Sequence, residues 1–169
     1  MGVSLNRPII REFELEFERT REILSRLPDD QMHWRPHERS MTLGRLGSHI
    51  AEMPRYGRRV LETDRLDSTV RKRGPVDLDR SAAILEVLGE ESRRFLEALG
   101  RASDEDLLGR WSYCKGEQVL FEVLRLNALR GFVLNHLYHH RGQLTVYLRL
   151  LDVPVPQIYG PTADDRGAY

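Results

Sequence analysis

Apolar side chains recur every three or four residues through the last third of the chain, and this spacing constrains the fold more than any other feature. Leu, Val and Tyr occupy positions 126, 129, 133, 137, 144, 147, 148 and 151. Consecutive residues of an α-helix are rotated by about 100°, so all these positions share one face. We therefore expect one long helix over residues 117–151, bent at Gly131 and ended before the Val-Pro-Val-Pro of residues 153–156.

Three further helical patterns precede this segment, over residues 8–27, 42–63 and 78–101. Asn6 is placed to cap the first of them, and Pro54 predicts a kink or break in the second because proline cannot donate to the preceding turn. No stretch alternates as a half-buried strand would. The pattern predicts an all-α protein: a single domain over the whole chain, folded as an antiparallel four-helix bundle with longer crossover connections.

The remaining segments are expected to be irregular. Residues 32–41 read as a packed loop, residues 64–77 as a charged, turn-rich linker, and the stretch through Trp111 and Cys114 as irregular structure leading into the last helix. Beyond Pro154 we expect no helix.

Composition narrows the function classes. Acidic and basic residues balance at 26 each, so no overall field draws the protein to nucleic acid or to an anionic membrane, and neither is expected as a partner. Cys114 is the only cysteine, which excludes an internal disulfide. No apolar run is long enough to span a bilayer, and charge begins at Arg7, too early for a secretory signal. These features predict a cytoplasmic protein.

The histidines carry the most specific chemical signal. On the wheel of the last helix His140 falls inside the apolar arc, His136 lies at its edge, and His139 lies about 60° outside it. His49 also points inward on the second predicted helix. Two interpretations remain: each imidazole is a core-edge group with one hydrogen-bond partner, or His49, His136 and His140 together bind a divalent cation that compensates their lost hydration.

Several metal-site classes are excluded by their spacing. A zincin needs Glu directly after the first histidine of HExxH, but Leu137 follows His136. A di-iron bundle needs ExxH elements, and no histidine here has Glu three residues before it. What remains is a mononuclear three-histidine site with open positions. Gln143 faces nearly as His136 does, so it either contacts a ligand or makes a helix-boundary hydrogen bond; Tyr147 either lines a pocket or packs in the core.

The sequence resembles the DinB superfamily of metal-binding four-helix bundles, also called DinB/YfiT-like proteins. The resemblance is carried by Trp34-Arg35-Pro36, by 42-TLGRLGSHIAEMP-54 and by 135-NHLYHHRGQLTVYLRLLDVPVPQIYGP-161. It implies that His49, His136 and His140 hold one divalent metal ion, nickel or zinc first, with iron, manganese or cobalt as alternatives. It also implies a homodimer. One departure is Asp152, which stands where the family pattern leads us to expect Gly at the helix end.

Three functions are consistent with the sequence. Some members of the family that the chain resembles are metal-dependent transferases that use a low-molecular-weight thiol. The first function is therefore a thiol S-transferase or hydrolase-like enzyme with a small-molecule substrate. The second is a non-catalytic metal-binding protein of a stress response, and the third a purely structural helical dimer. No residue is assigned a catalytic role.

Overall fold

A computed structural model of the protein describes residues 4–70 and 77–165, and within these ranges the chain is mostly helical. The basic run 71–75 of the predicted linker and the last four residues of the chain lie outside the described residues. None of the described helices combines the length and the apolarity needed to cross a bilayer.

The helices follow the predicted order along the chain. They are α1 (Asn6–Leu24), α2 (Leu43–Ala51), α3 (Met53–Glu62), α4 (Ser81–Arg101), α5 (Asp104–Leu108), α6 (Arg125–Ala128) and α7 (Asn135–Leu150), with a 3₁₀ turn at Asp29–Gln31 and a π-helical segment at Leu129–Leu134. α4 packs against α1, α2 and α3, while α7 packs against α2 and α1. The first and third helical stretches expected from the sequence are present as α1 and α4, the second is present as α2 and α3, and the fourth is helical only from Arg125 onward. Their arrangement as an antiparallel bundle stays a prediction.

The all-α prediction is wrong in one respect, because the protein also contains a small three-stranded sheet. Its strands are β1 (Arg65–Asp67), β2 (Arg110–Lys115) and β3 (Gln118–Leu124), in the order β1-β2-β3. β1 pairs with β2 in parallel and β2 pairs with β3 antiparallel. The stretch through Trp111 and Cys114 is therefore a strand, not an irregular connection.

The predicted start of the last helix at residue 117 is wrong for the same reason. The segment 118-QVLFEVL-124 is rich in β-branched and aromatic residues, which favour strands. A two-residue turn joins it to β2, and Gly116 adopts a left-handed φ of 59° there, as tight hairpins require. Helical structure begins only at Arg125.

Two helix boundaries depend on single residues. The predicted break at Pro54 is confirmed, since α2 ends at Ala51 and α3 begins at Met53 with Pro54 in its first turn. Asn6 does not cap α1 as expected. Its amide instead donates to the carbonyls of Leu99 at 3.3 Å and Ala102 at 3.1 Å, which attaches the start of α1 to the end of α4.

The hydrophobic core is built around aromatic contacts between α1 and α4. The rings of Phe13 and Phe95 meet edge to face, 4.6 Å apart, and Phe17 packs against both. Gly57 lets α3 approach this cluster, because a Cβ there would lie 2.6 Å from the ring of Phe95. The close approach of α3 to α4 therefore requires glycine at this position.

A buried ion pair joins α1 to α7. Arg141 is 2% exposed, and its guanidinium donates to the Glu16 carboxylate at 2.5 Å, the Glu16 carbonyl at 3.1 Å and the Thr20 hydroxyl at 3.2 Å. Tyr159, beyond the end of α7, donates to Glu16 at 2.6 Å and also accepts from Arg141. Burial alone would raise the pKa of Glu16, but the hydrogen bonds from Tyr159 and Arg141 bring it below its usual value. Glu16 is therefore ionised and Arg141 neutralises it.

The C-terminus of α7 explains the departure at Asp152. Asp152 adopts a φ of 57° immediately after the helix, in the left-handed region where glycine has no steric penalty. The amide of Val153 reaches back to the carbonyl of Leu148 at 2.9 Å, which closes the cap. The glycine that the resemblance leads us to expect would adopt this conformation without strain, whereas Asp152 adopts it at a steric cost.

Replacing Asp152 by glycine should raise the free energy of unfolding by about 0.5–1 kcal/mol, because glycine relieves the left-handed strain. Asp152→Ala provides the opposite control: alanine keeps the Cβ but lacks the short polar side chain that tolerates this region, so it should destabilise the protein. Denaturant titrations of the three proteins measure both changes. The same sign of change for both variants would contradict this account of the cap.

Arg141→Met should lower the free energy of unfolding by about 3 kcal/mol, because it leaves the buried Glu16 carboxylate without its main cation. In the double variant Arg141→Met, Glu16→Gln the loss should be smaller, since no uncompensated charge stays buried. The matched control is Arg21→Met, which removes an exposed pair with Glu18 and should cost less than about 1 kcal/mol. Equal losses for the buried and the exposed arginine would show that burial of the ion pair is unimportant.

Candidate metal centre

Two helices bring three histidines together. His49 comes from α2, and His136 and His140 from successive turns at the start of α7. The Nε2 atom of His136 lies 2.8 Å from Nε2 of His140 and 3.4 Å from Nε2 of His49. One ligand atom from each of the three rings lies within 4.8 Å of the other two. The three side chains that the helical wheels selected therefore lie close together.

The other described histidines stay apart from this trio. His139 is exposed, and its ring lies beside His140, 4.9 Å away, on the outside. His33 and His37 are exposed in the loop before α2, where the ring of His37 accepts from the backbone of Arg39. The prediction that His139 lies outside the apolar face is confirmed.

A hydrogen bond to the outer ring nitrogen of His140 determines which of its nitrogens faces the centre. Nδ1 of His140 lies 2.7 Å from Oε1 of Gln143, and because an amide oxygen only accepts, the ring nitrogen donates. His140 thus carries its proton on the outer nitrogen and directs the Nε2 lone pair at His136, whose Nε2 lies 2.8 Å away.

The electrostatics keep all three rings neutral at pH 7. Burial lowers the pKa of His49 to about 3, and the neighbouring His140, His136 and Arg45 contribute in the same direction. Burial is also the largest cause of the lowered pKa of His136 and of His140. Neutral imidazole is the form that binds metal ions, so the site needs no deprotonation before it can act as a ligand set.

The donor set is three nitrogens with no carboxylate or thiolate. Within residues 4–70 and 77–165, no Asp, Glu or Cys joins the trio, and no second group of three metal-ligating side chains occurs. A tetrahedral ion bound at about 2.0–2.1 Å separates its nitrogen ligands by roughly 3.4 Å. The His49–His136 distance of 3.4 Å matches this separation, and the His136–His140 distance of 2.8 Å is shorter. Three protein ligands also leave a coordination position open, as in catalytic rather than structural zinc sites.

The two accessory residues predicted from the sequence have different surroundings. Gln143 contacts His140, as described above. Tyr147 is 8% exposed, its hydroxyl donates to the carbonyl of Met41 at 3.1 Å, and its ring packs edge-on against Trp34 at 5.7 Å. These are the contacts of a core residue with a satisfied hydroxyl, and the described contacts of Tyr147 do not reach the histidines.

The sequence pattern did not predict the aromatic rings beside His136. The ring of Phe132, in the π-helical segment, lies 6.3 Å from the ring of His136. Tyr113 of β2 and Phe121 of β3 pack on Phe132 at 5.3 Å and 6.1 Å. The sheet that positions them was not predicted; the β-branched and aromatic content of residues 118–124 was the available signal.

The sequence and the fold of the chain are similar to those of known proteins. The model of the DinB family matches residues 1–166. An uncharacterised protein of Bacillus subtilis strain 168, YrdA, is 27% identical over 157 residues, which is 92% of this chain and 89% of that protein. A DinB-like protein from Bacillus cereus ATCC 10987 superposes with a TM-score of 0.71 at 23% identity, over 94% of this chain and 100% of the other.

A second solved structure gives the same result. The DinB-like protein YjoA from Bacillus subtilis superposes with a TM-score of 0.71 at 19% identity, covering 90% of this chain and 98% of the other. At these identities the two solved structures establish a common fold.

Proposed function

Since the chain belongs to the DinB family, we propose that it binds one divalent metal ion through Nε2 of His49, His136 and His140 and acts as a metal-dependent transferase on a low-molecular-weight thiol. Nickel and zinc are the ions that we expect first, with iron, manganese and cobalt as alternatives. The cytoplasmic location and the antiparallel four-helix bundle expected from the sequence stay predictions, as does the homodimer implied by the resemblance.

One observation carries the metal proposal: imidazole nitrogens from two helices lie within 4.8 Å of one another. His140 donates from Nδ1 to Gln143 and so turns its Nε2 lone pair toward Nε2 of His136, 2.8 Å away. A divalent ion bound by these nitrogens would compensate the hydration that the buried rings have lost, and His49 supplies the third nitrogen.

The residues around the trio fit an anionic ligand. A divalent ion at this position supplies Lewis acidity, which lowers the pKa of a coordinated thiol toward neutrality. Arg45, one turn before His49 on α2, places a positive charge that is felt at both His49 and His140. That charge favours a thiolate over a neutral molecule. Gln143 keeps the ring of His140 oriented while a ligand enters.

The purified protein should contain about one equivalent of divalent metal per chain, and His49→Ala, His136→Ala and His140→Ala should each lose most of it. Elemental analysis measures the content, and competition with a chelator measures the affinity, which should fall at least about 100-fold. His139→Ala is the matched control because His139 adjoins His140 but is exposed. Equal metal content in all four variants and the parent protein would eliminate the three-histidine site.

The thiol proposal is tested on the cobalt-substituted protein. A low-molecular-weight thiol such as glutathione, mycothiol or bacillithiol should shift the visible absorption of the cobalt form, because sulfur replaces a solvent ligand. Cobalt binding without a response to any of these thiols would support the non-catalytic metal-binding alternative. Absence of cobalt binding would support the third alternative, a purely structural helical dimer.

Gln143→Leu should weaken metal binding by about 10- to 100-fold, because His140 loses the acceptor that orients its ring. Gln143→Glu keeps an acceptor oxygen at the same distance and should restore most of the affinity. Chelator competition compares the three proteins. If both substitutions weaken binding equally, Gln143 acts on the site through packing and not through its hydrogen bond to His140.

A further inference from the structure

Five aromatic residues pack together next to the histidine trio. We call this the aromatic wall, and it consists of Tyr56, Trp111, Tyr113, Phe121 and Phe132. Phe132 is its centre: the other four rings lie between 5.3 and 6.2 Å from it. The same ring lies 6.3 Å from His136, so the wall begins where the proposed metal ligands end.

The wall is graded from buried to exposed. Trp111 is completely buried and anchors the sheet on the helices, whereas Tyr56, Tyr113 and Phe132 are half-buried and Phe121 is 38% exposed. Packing of the sheet on the helices accounts for Trp111. Tyr56, Tyr113 and Phe132 also pack against the core, yet these three rings and Phe121 keep part of their surface in solvent. Contiguous exposed apolar area of this kind is typical of ligand-binding surfaces.

The position of the wall relative to the charges restricts what it can bind. At the trio, three clustered ring nitrogens and the positive charge of Arg45, one turn before His49 on α2, suit an anionic metal-binding group. At the wall, partly exposed rings suit another flat apolar group, since aromatic pairs at 4.5–7 Å are favourable beyond their buried area. A single ligand that contacts both surfaces must therefore be amphipathic. Its anionic metal-binding group and its flat apolar group must be separated by a few bonds.

Resting on the metal site proposed above, we propose that the aromatic wall is the specificity surface of that site, which binds an aromatic or similarly flat apolar group of a ligand whose anionic donor reaches Nε2 of the histidine trio. Phe132 is the primary contact, because it lies nearest His136. Tyr113 and Phe121, which stack on each other with an interplanar angle of 27°, extend the surface outward.

Two hydroxamates with the same metal-binding group test the proposal on the cobalt-substituted full-length protein. Benzohydroxamate carries a phenyl ring and acetohydroxamate a methyl group, and titration against the cobalt absorption gives a dissociation constant for each. Benzohydroxamate should bind at least about tenfold more tightly, since covering a further 50–60 Å² of apolar surface is worth roughly that factor.

Phe132→Leu should reduce this preference to about threefold or less, because leucine keeps apolar volume but removes the ring face. The dissociation constant of cobalt is measured for each variant, so that both hydroxamates are titrated against a fully occupied metal site. The matched control is Phe17→Leu, the same substitution at a buried ring that packs with Phe13 and Phe95. Phe17→Leu should not change the preference for benzohydroxamate.

The outcomes separate this inference from the proposed function. If cobalt binds but the two hydroxamates bind equally, or if Phe132→Leu and Phe17→Leu change the preference by the same factor, the aromatic wall is only a packing surface and the metal site stands. If cobalt does not bind and the histidine variants match the parent protein, both proposals fail.

Discussion

The rotation of α7 about its own axis is the constraint on which the site depends, and a buried ion pair fixes it. His140 and Arg141 are consecutive, so their side chains leave the helix about 100° apart. Arg141 points to α1, where Glu16 and Thr20 accept from it, and His140 points to the side where His49 of α2 lies. Rotating α7 to separate the imidazoles would pull the guanidinium from a carboxylate that is itself only 5% exposed. The ion pair thus holds a helix orientation that the three imidazoles alone would not favour.

The π-helical segment directly before α7 determines where Phe132 lies relative to the histidines. A π-helical turn departs from the 3.6-residue period, so the residues before and after it do not follow one wheel. Leu134 shows this directly, because it lies outside the apolar arc of a continuous helix and yet is 1% exposed. The histidines and Arg141 come after the turn, within the regular α7, and their directions were predictable from spacing. Phe132 lies inside the turn, and its position beside His136 was not.

The same distinction between local and non-local determinants separates what the sequence predicts from what it does not. The inward directions of His49 and His140 and the break before Pro54 depend on residues within a turn or two, so periodicity and the backbone chemistry of proline suffice. The sheet depends on β1, whose Leu66 pairs with Tyr113 of β2 across a large sequence separation. No local pattern in a three-residue strand reports such a partner, and the apolar residues of β3 fit a helical period as well as a strand.

The two surfaces of the proposed site therefore have separate structural origins. The histidine trio is carried by α2 and α7, whose packing is fixed by the core and by Arg141. Most of the aromatic wall is carried by β2 and β3, a hairpin inserted between α5 and α6. Exposed residues of a hairpin tolerate substitution better than core helices do, because fewer buried contacts depend on them. On the proposal above, a change of ring size at Phe121 alters which ligand fits and leaves Nε2 of His136 in place. Chains that share the histidines but differ along this hairpin should share a metal and differ in the ligand they accept.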